Sequence, residues 1–128
     1  LLWEDRGRWS GAMTVRLTTA QALTLWHDVN LDLVHDGEPD LSVRQMTILL
    51  TIYLEAPPHT VRGLAAKLGV SKPVITRALD SMGRLELVSR RRDEEDRRNV
   101  LVQRTVKGAL YLERLADSIA DRAGRLPP

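Results

Sequence analysis

Two short apolar-patterned segments meet at Leu68-Gly69-Val70-Ser71, and a dense charged run framed by apolar residues follows soon after. That succession leaves few folds open. Val61, Leu64, Ala65 and Leu68 recur at helical spacing, as do Val74, Ile75, Ala78, Leu79 and Met82. Gly69 suits a left-handed or close-packed corner between them. Ser71 is placed to cap the second helix, and Pro73 falls in its first turn, where a missing N–H costs nothing. Residues 60–84 therefore read as a helix-turn-helix.

The charged run, RRRDEEDRRNV from Arg90 to Val100, sets five arginines around four consecutive acids, Asp93 to Asp96. Taken alone it reads as a solvated helix face, because Arg90/Glu94, Arg91/Glu95, Asp93/Arg97 and Glu94/Arg98 are opposite charges four apart. Its flanks argue otherwise. Leu87-Val88-Ser89 and Val100-Leu101-Val102-Gln103 favour strand, with Val100 and Val102 on one face. Residues 87–103 then form a β-hairpin whose arginine-edged tip protrudes into solvent.

The remaining elements are helical. Residues 1–17 read as an irregular arm carrying Trp3, Arg6, Arg8 and Trp9, ahead of one domain over 18–128. A helix over about 19–35 is apolar on two sides. Ala22, Leu25, Trp26, Val29 and Leu33 make one stripe, and Leu23, Leu31 and Val34 lie elsewhere. Such a helix wants two neighbours, its own core and a second subunit. Trp26 reads as a core tryptophan in preference to the lining of a ligand pocket. Asp36–Asp40 is a turn, and Ser42 with Gln45 has capping-box spacing ahead of Met46, Ile48, Leu49, Leu50 and Tyr53. Pro57-Pro58 ends that helix. Thr105 caps a last helix over 105–124, with Val106, Ala109, Leu110, Leu112, Leu115, Ile119 and Ala120 as apolar positions. The fold class expected is mainly α with a small β-hairpin.

Composition narrows the function. Phe is absent, so Leu, Val, Ile and Ala must build the core. The lack of cysteine removes disulfides, thiolate zinc sites and thiol redox chemistry. No apolar run approaches the roughly 20 residues of a membrane span. The charged start is not a signal peptide, so a cytoplasmic location is expected. Between Thr60 and Arg104 lie 11 basic and 6 acidic residues, against 8 and 11 elsewhere. A basic middle between acidic ends points to a polyanionic partner.

The pieces resemble the MarR family of bacterial transcription regulators over Leu64 to Gly108. LAAKLGVSKPVITRALD resembles the family's helix-turn-helix. LELVSRRRDEEDRRNVLV resembles its wing, with the Asp-x-Arg motif at Asp96-Arg97-Arg98. TVKG at Thr105–Gly108 resembles the Thr-x-x-Gly that opens its next helix. Three departures stand out. Glu86 holds a place where the family usually has glycine, Arg104 replaces a leucine, and the last helix ends early. The resemblance implies a winged helix-turn-helix with dimerising terminal helices, and a dimer smaller than usual or resting more on residues 1–34. It implies a homodimer on a pseudo-palindromic operator, a repressor role, and a small effector, often aromatic, that changes the spacing of the two wings. It also implies a wing tip along the minor groove. There Arg97 or Arg98 enters the groove or grips phosphate, and Asp96 holds an arginine fork by a bidentate pair.

The candidate DNA contacts follow. Ser71, Lys72, Pro73, Thr76 and Arg77 lie at the start or on the outer side of the second helix, placed to read base edges. Thr60 and Arg62 open the preceding helix and suit phosphate. Arg90, Asp96, Arg97 and Arg98 belong to the wing. His27 and His35, near Asp28, Asp32 and Asp36, read as surface or subunit-contact residues and not as a metal site. With no nucleophile–base set and no phosphate-binding glycine loop, neither an enzyme nor a cofactor is expected. The rival reading is a winged-helix module that binds protein and not DNA.

Overall fold

The computed structural model describes residues 15–128; the arm expected over 1–17 falls almost wholly outside them. Helix α1 (Thr19–Asp36) opens on a capping box, with the Thr18 and Gln21 side chains each bonding the other's backbone N–H. Helix α2 (Val43–Leu54) repeats the device with Ser42 and Gln45, as the sequence predicts. The short strand β1 (His59–Thr60) leads into α3 (Val61–Leu68) and α4 (Lys72–Arg84). Strands β2 (Val88–Arg92) and β3 (Val100–Arg104) precede α5 (Val106–Gly124). The sheet is antiparallel in the order β1-β3-β2, with Arg90 opposite Val102 and Arg92 opposite Val100. Among the described residues, five helices with a small three-stranded sheet form a winged helix.

The core is aliphatic, as the missing phenylalanine requires. Ile48, Leu49, Ile52, Ile75, Leu79 and Met82 are fully buried between α2 and the α3–α4 pair, with Leu87, Val88 and Val102 closing it from the wing. The inner stripe of α1 is correct at Leu25, Val29 and Leu33, which face this core. Trp26 corrects the reading above: it is 62% exposed. Its position joins it to Leu23 and Val34 on the outer side of the helix, also exposed. Asp32 fastens α1 to α5. Its carboxylate accepts from Arg122 Nη2 at 2.6 Å, Arg122 Nε at 3.0 Å and Ser118 Oγ at 2.6 Å. Arg122 first and Ser118 second hold that carboxyl far below the usual carboxylate range.

Both helices of the helix-turn-helix end in a Schellman motif. At α3, Gly69 takes the left-handed conformation, and Val70 N–H reaches back to the Ala65 carbonyl at 3.1 Å. At α4 the same geometry falls on Glu86, with φ +62°, while Leu87 N–H bonds the Met82 carbonyl at 3.0 Å. A side chain there is strained where glycine is not. Glu86→Gly is accordingly expected to stabilise the protein by about 1 kcal/mol. Urea unfolding checks this, and a lower midpoint for the variant would contradict it.

A polar node ties α2, α4, the sheet and α5 together. The Tyr53 hydroxyl donates to the Thr105 carbonyl at 2.9 Å and accepts the Thr105 N–H at 3.0 Å. The Thr105 hydroxyl caps α5 by accepting the Gly108 N–H at 2.9 Å, and donates to the Glu86 carbonyl at 2.7 Å. Gly108 is packed under this node. A β-carbon there would lie 2.2 Å from the Tyr53 hydroxyl and 2.3 Å from the Leu87 carbonyl oxygen. Arg104, in place of leucine, closes α2: it donates from Nε to the Ile52 carbonyl at 3.0 Å and lies 5.7 Å above the Tyr53 ring.

Candidate nucleic-acid interface

The outer side of α4 is built by its inner side. Ile75, Ala78, Leu79 and Met82 are buried, which turns Lys72, Pro73, Thr76 and Arg77 outward, and all four are exposed. Ser71 corrects one expectation. It sits at the N-cap, but its hydroxyl makes no cap hydrogen bond. The first amides of α4 thus lack a side-chain cap and, with the hydroxyl, can meet an anion. Thr60 is the reverse case, since its hydroxyl already caps α3 by accepting from Gly63 N–H at 2.9 Å. Arg62 is exposed on the first turn of α3.

The charged run is a hairpin tip, and none of the four helical charge pairs forms. The acids divide into two kinds. Asp93 and Asp96 fold the loop: Asp93 Oδ1 accepts Glu95 N–H at 2.9 Å, and Asp96 Oδ1 accepts Arg98 N–H at 3.2 Å. Arg92 braces the same loop from Nη1 to the Arg97 carbonyl at 2.8 Å. Glu94 and Glu95 are exposed beyond it.

Asp96 also holds Arg98 by its fork. Arg98 Nε meets Oδ1 at 3.0 Å and Nη2 meets Oδ2 at 3.0 Å. Arg98 lowers the Asp96 pKa first through its side chain and then through its backbone N–H, and the charge of Arg62 adds to this. The Arg98 side chain remains 77% exposed despite the pair. Arg97 is exposed with no such brace.

Arg90 is placed differently. Its Nη2 lies 2.7 Å from Asp80 Oδ1 on α4, so it locks the wing against that helix. The charged candidates from α4, α3 and the wing, Arg62, Lys72, Arg77, Arg90, Arg97 and Arg98, are all basic apart from Asp96. Sequence reading did not find the roles of Arg92, Arg104 and Tyr53. Their partners lie on other turns or elements, and no local spacing marks them.

This arrangement has known counterparts. Residues 41–100 match the family model described as MarR family. They are a MarR-family domain. No curated protein matches the chain by sequence. Among solved structures, it is similar to a MarR-family transcriptional regulator from Rhodococcus sp. RHA1, with 27% identity and TM-score 0.61, covering 84% of this chain and 73% of that one. It is similar to CouR from Rhodococcus jostii RHA1, solved with p-coumaroyl-CoA, at 28% identity and TM-score 0.60, over 84% and 73%. It shares its fold with S. aureus MepR, solved with DNA, at 21% identity and TM-score 0.68, over 84% and 87%. The MarR-family domain thus contains the helix-turn-helix and all but the last strand of the wing. Members of this family are transcription regulators. Among the described residues, no helix is long and apolar enough to cross a membrane, and no group of three or more His, Asp or Glu is placed to hold a metal.

Proposed function

We propose that this chain is a cytoplasmic, sequence-specific regulator of transcription that binds double-stranded DNA as a homodimer, in the role of a repressor. The observation that carries the reading is the wing tip, where an exposed Arg98 is held in a bidentate pair by Asp96. An arginine ordered before contact loses less freedom on binding. Two copies place two α4 helices about one DNA turn apart, roughly 34 Å, on a pseudo-palindrome. Thr60, Arg62, Ser71, Lys72, Pro73, Thr76, Arg77, Arg97 and Arg98 are the proposed contacts, with Arg90 and Asp96 holding the wing in place. The single test is a mobility shift on the gene's own upstream DNA with competitor DNA present. A retarded band that survives unrelated competitor supports the reading. No shift at any salt concentration overturns it in favour of a protein-binding module.

The homodimer is supported by apolar side chains left uncovered on the terminal helices. Leu23, Trp26 and Val34 on α1 and Leu110 and Ile119 on α5 are exposed. Light scattering at micromolar concentration is expected to give twice 14.4 kDa. A concentration-independent monomer would remove both the dimer and the palindrome. Release from DNA by a small effector completes the proposal.

Arg77→Ala separates base reading from phosphate contact. With Arg77 on a base edge, the variant loses about 1–3 kcal/mol on the preferred site and relaxes its preference at one position per half-site. A uniform loss across sequences would place Arg77 on phosphate instead.

A further inference from the structure

The sheet of the wing has two faces. Arg90 turns to α4 and pairs with Asp80 there. Arg91, the next residue, points to the opposite face, beside its register partner Leu101. On that side a trough of about 630 Å³ runs from the wing to the loop after α2. Pro57, Pro58, Arg91 and Gln103 on its walls are exposed, while Leu101 and Arg104 are half-buried. None of the proposed DNA contacts lines it.

The walls carry charge of one sign. The Arg91 side chain has no hydrogen bond and no ion pair among the described residues. Arg104 donates only to main-chain carbonyls, from Nε to Ile52 at 3.0 Å and from Nη2 to Glu55 at 3.4 Å. Glu55 itself turns its carboxylate to Lys67 on α3 at 2.8 Å. Among the described residues, no carboxylate lines the trough. Two guanidiniums without a counter-charge attract an anion, and the half-buried Arg104 gains most from one.

Spacing and shape narrow the anion. Arg91 lies opposite Leu101, three residues along β3 from Arg104, which is about 10 Å at the rise of a strand. The pair suits two acidic groups set apart. Beside them Pro57, Pro58 and Leu101 offer an apolar surface for an aromatic or aliphatic side chain. A DNA backbone brings phosphates but little apolar surface to place there. Small molecules are held in sites that enclose most of their surface, whereas four wall residues of this trough are open to solvent.

We propose that this face of the wing docks an acidic segment of a partner protein. The segment is extended, with carboxylates three residues apart and an aromatic side chain between them. One carboxylate meets Arg91, the other meets Arg104, and the ring packs on Pro57, Pro58 and Leu101. The docking face is the one turned away from α4, so a partner held there leaves α4 and the wing tip uncovered. This surface goes beyond DNA binding and does not rest on it.

Fluorescence anisotropy on the intact, DNA-free protein tests the surface, with the fluorescein-labelled peptide GSEWAEEWAE as the probe. GSQWAQQWAQ removes its charge, and GSEAAEEAAE removes its rings. The probe is expected to bind once per protomer, and each control about fivefold more weakly or not at all. Arg91→Ala and Arg104→Leu, which keeps an apolar side chain at the strand end, are each expected to weaken the probe about threefold or more, with unchanged circular dichroism. Arg98→Ala, at the wing tip, is expected to leave it unchanged. Absent binding, equal binding of the uncharged control, or a loss with Arg98→Ala and not with Arg91→Ala or Arg104→Leu would overturn the proposal. A DNA titration excludes the other polyanion. Arg91→Ala is expected to leave the slope of log affinity against log salt unchanged, and a fall of about one would give the trough to phosphate instead. Failure of the chain to bind DNA would remove the function proposed above and leave the peptide result standing.

Discussion

Gly108→Ala is expected to lower stability by about 3 kcal/mol or more, near the upper end for an overpacked core. For a domain of this size that is a fall in Tm of roughly 10 °C or more. The added methyl would sit 2.2 Å from the Tyr53 hydroxyl and 2.3 Å from the Leu87 carbonyl oxygen. One neighbour is backbone at the root of the wing, and the other is a side chain with both its bonds to Thr105 in use. Relief therefore has to break the Tyr53 node or push α5 off the wing. Thermal melts of Gly108→Ala, Tyr53→Phe and the double variant separate these routes. The double variant is expected to recover only part of the loss, because Leu87 still opposes the methyl. A Gly108→Ala melt within a degree or two of the parent's would show that the packing under the node is loose.

Asp96→Ala is expected to weaken DNA binding about threefold to tenfold, although it removes a negative charge from a surface that meets a polyanion. Long-range electrostatics alone gives the opposite sign. The geometry reverses it because Asp96 does two jobs. It orders the Arg98 fork, and it accepts the Arg98 backbone N–H that shapes the tip. Its loss leaves both to be ordered on binding. Glu94→Ala and Glu95→Ala remove charge without removing a brace, so each is expected to tighten binding about twofold to threefold. Arg98→Ala is expected to weaken binding and lower the slope of log affinity against log salt by about one, if the guanidinium meets phosphate. Titrations of the four variants at one salt concentration decide the matter, with the Arg98 series extended over several. Tighter binding by Asp96→Ala would refute the brace.

The pH behaviour of this brace has a definite sign. The Asp96 pKa is depressed in the folded protein. Its contribution is therefore fully present above the ordinary carboxylate value, about 3.9, and is lost as pH falls through the lower folded value. Acidification from neutral pH to about 5 should leave the wing intact, and weaker DNA binding over that range would have to come from another group.

What could be read from the chain lies within a turn or two of each residue. Ser42 and Gln45 announce a capping box because the two bonds close over three positions. Gly69 marks the corner of the helix-turn-helix because a left-handed residue is needed one step past α3. The alternation around Val100 and Val102 separates strand from helix, since a core-facing side chain recurs every second residue. Asp96 could be paired with an arginine, but the choice of Arg98 over Arg97 waited on the turn, in which the aspartate accepts the N–H two residues on. Trp26 fell on the same stripe as Val29 by spacing alone, yet it is exposed. A helical stripe is wide, and only the angle at which α1 meets the core decides which edge of it is covered. Tyr53 and Thr105 lie 52 residues apart, as do Arg104 and Ile52, and Arg90 reaches Asp80 on another element. Such partners are chosen by packing between elements, which brings together groups that no local periodicity relates. Local bonding rules thus set the order and kind of the elements, while packing in three dimensions selected which arginine is braced and which tryptophan is left out.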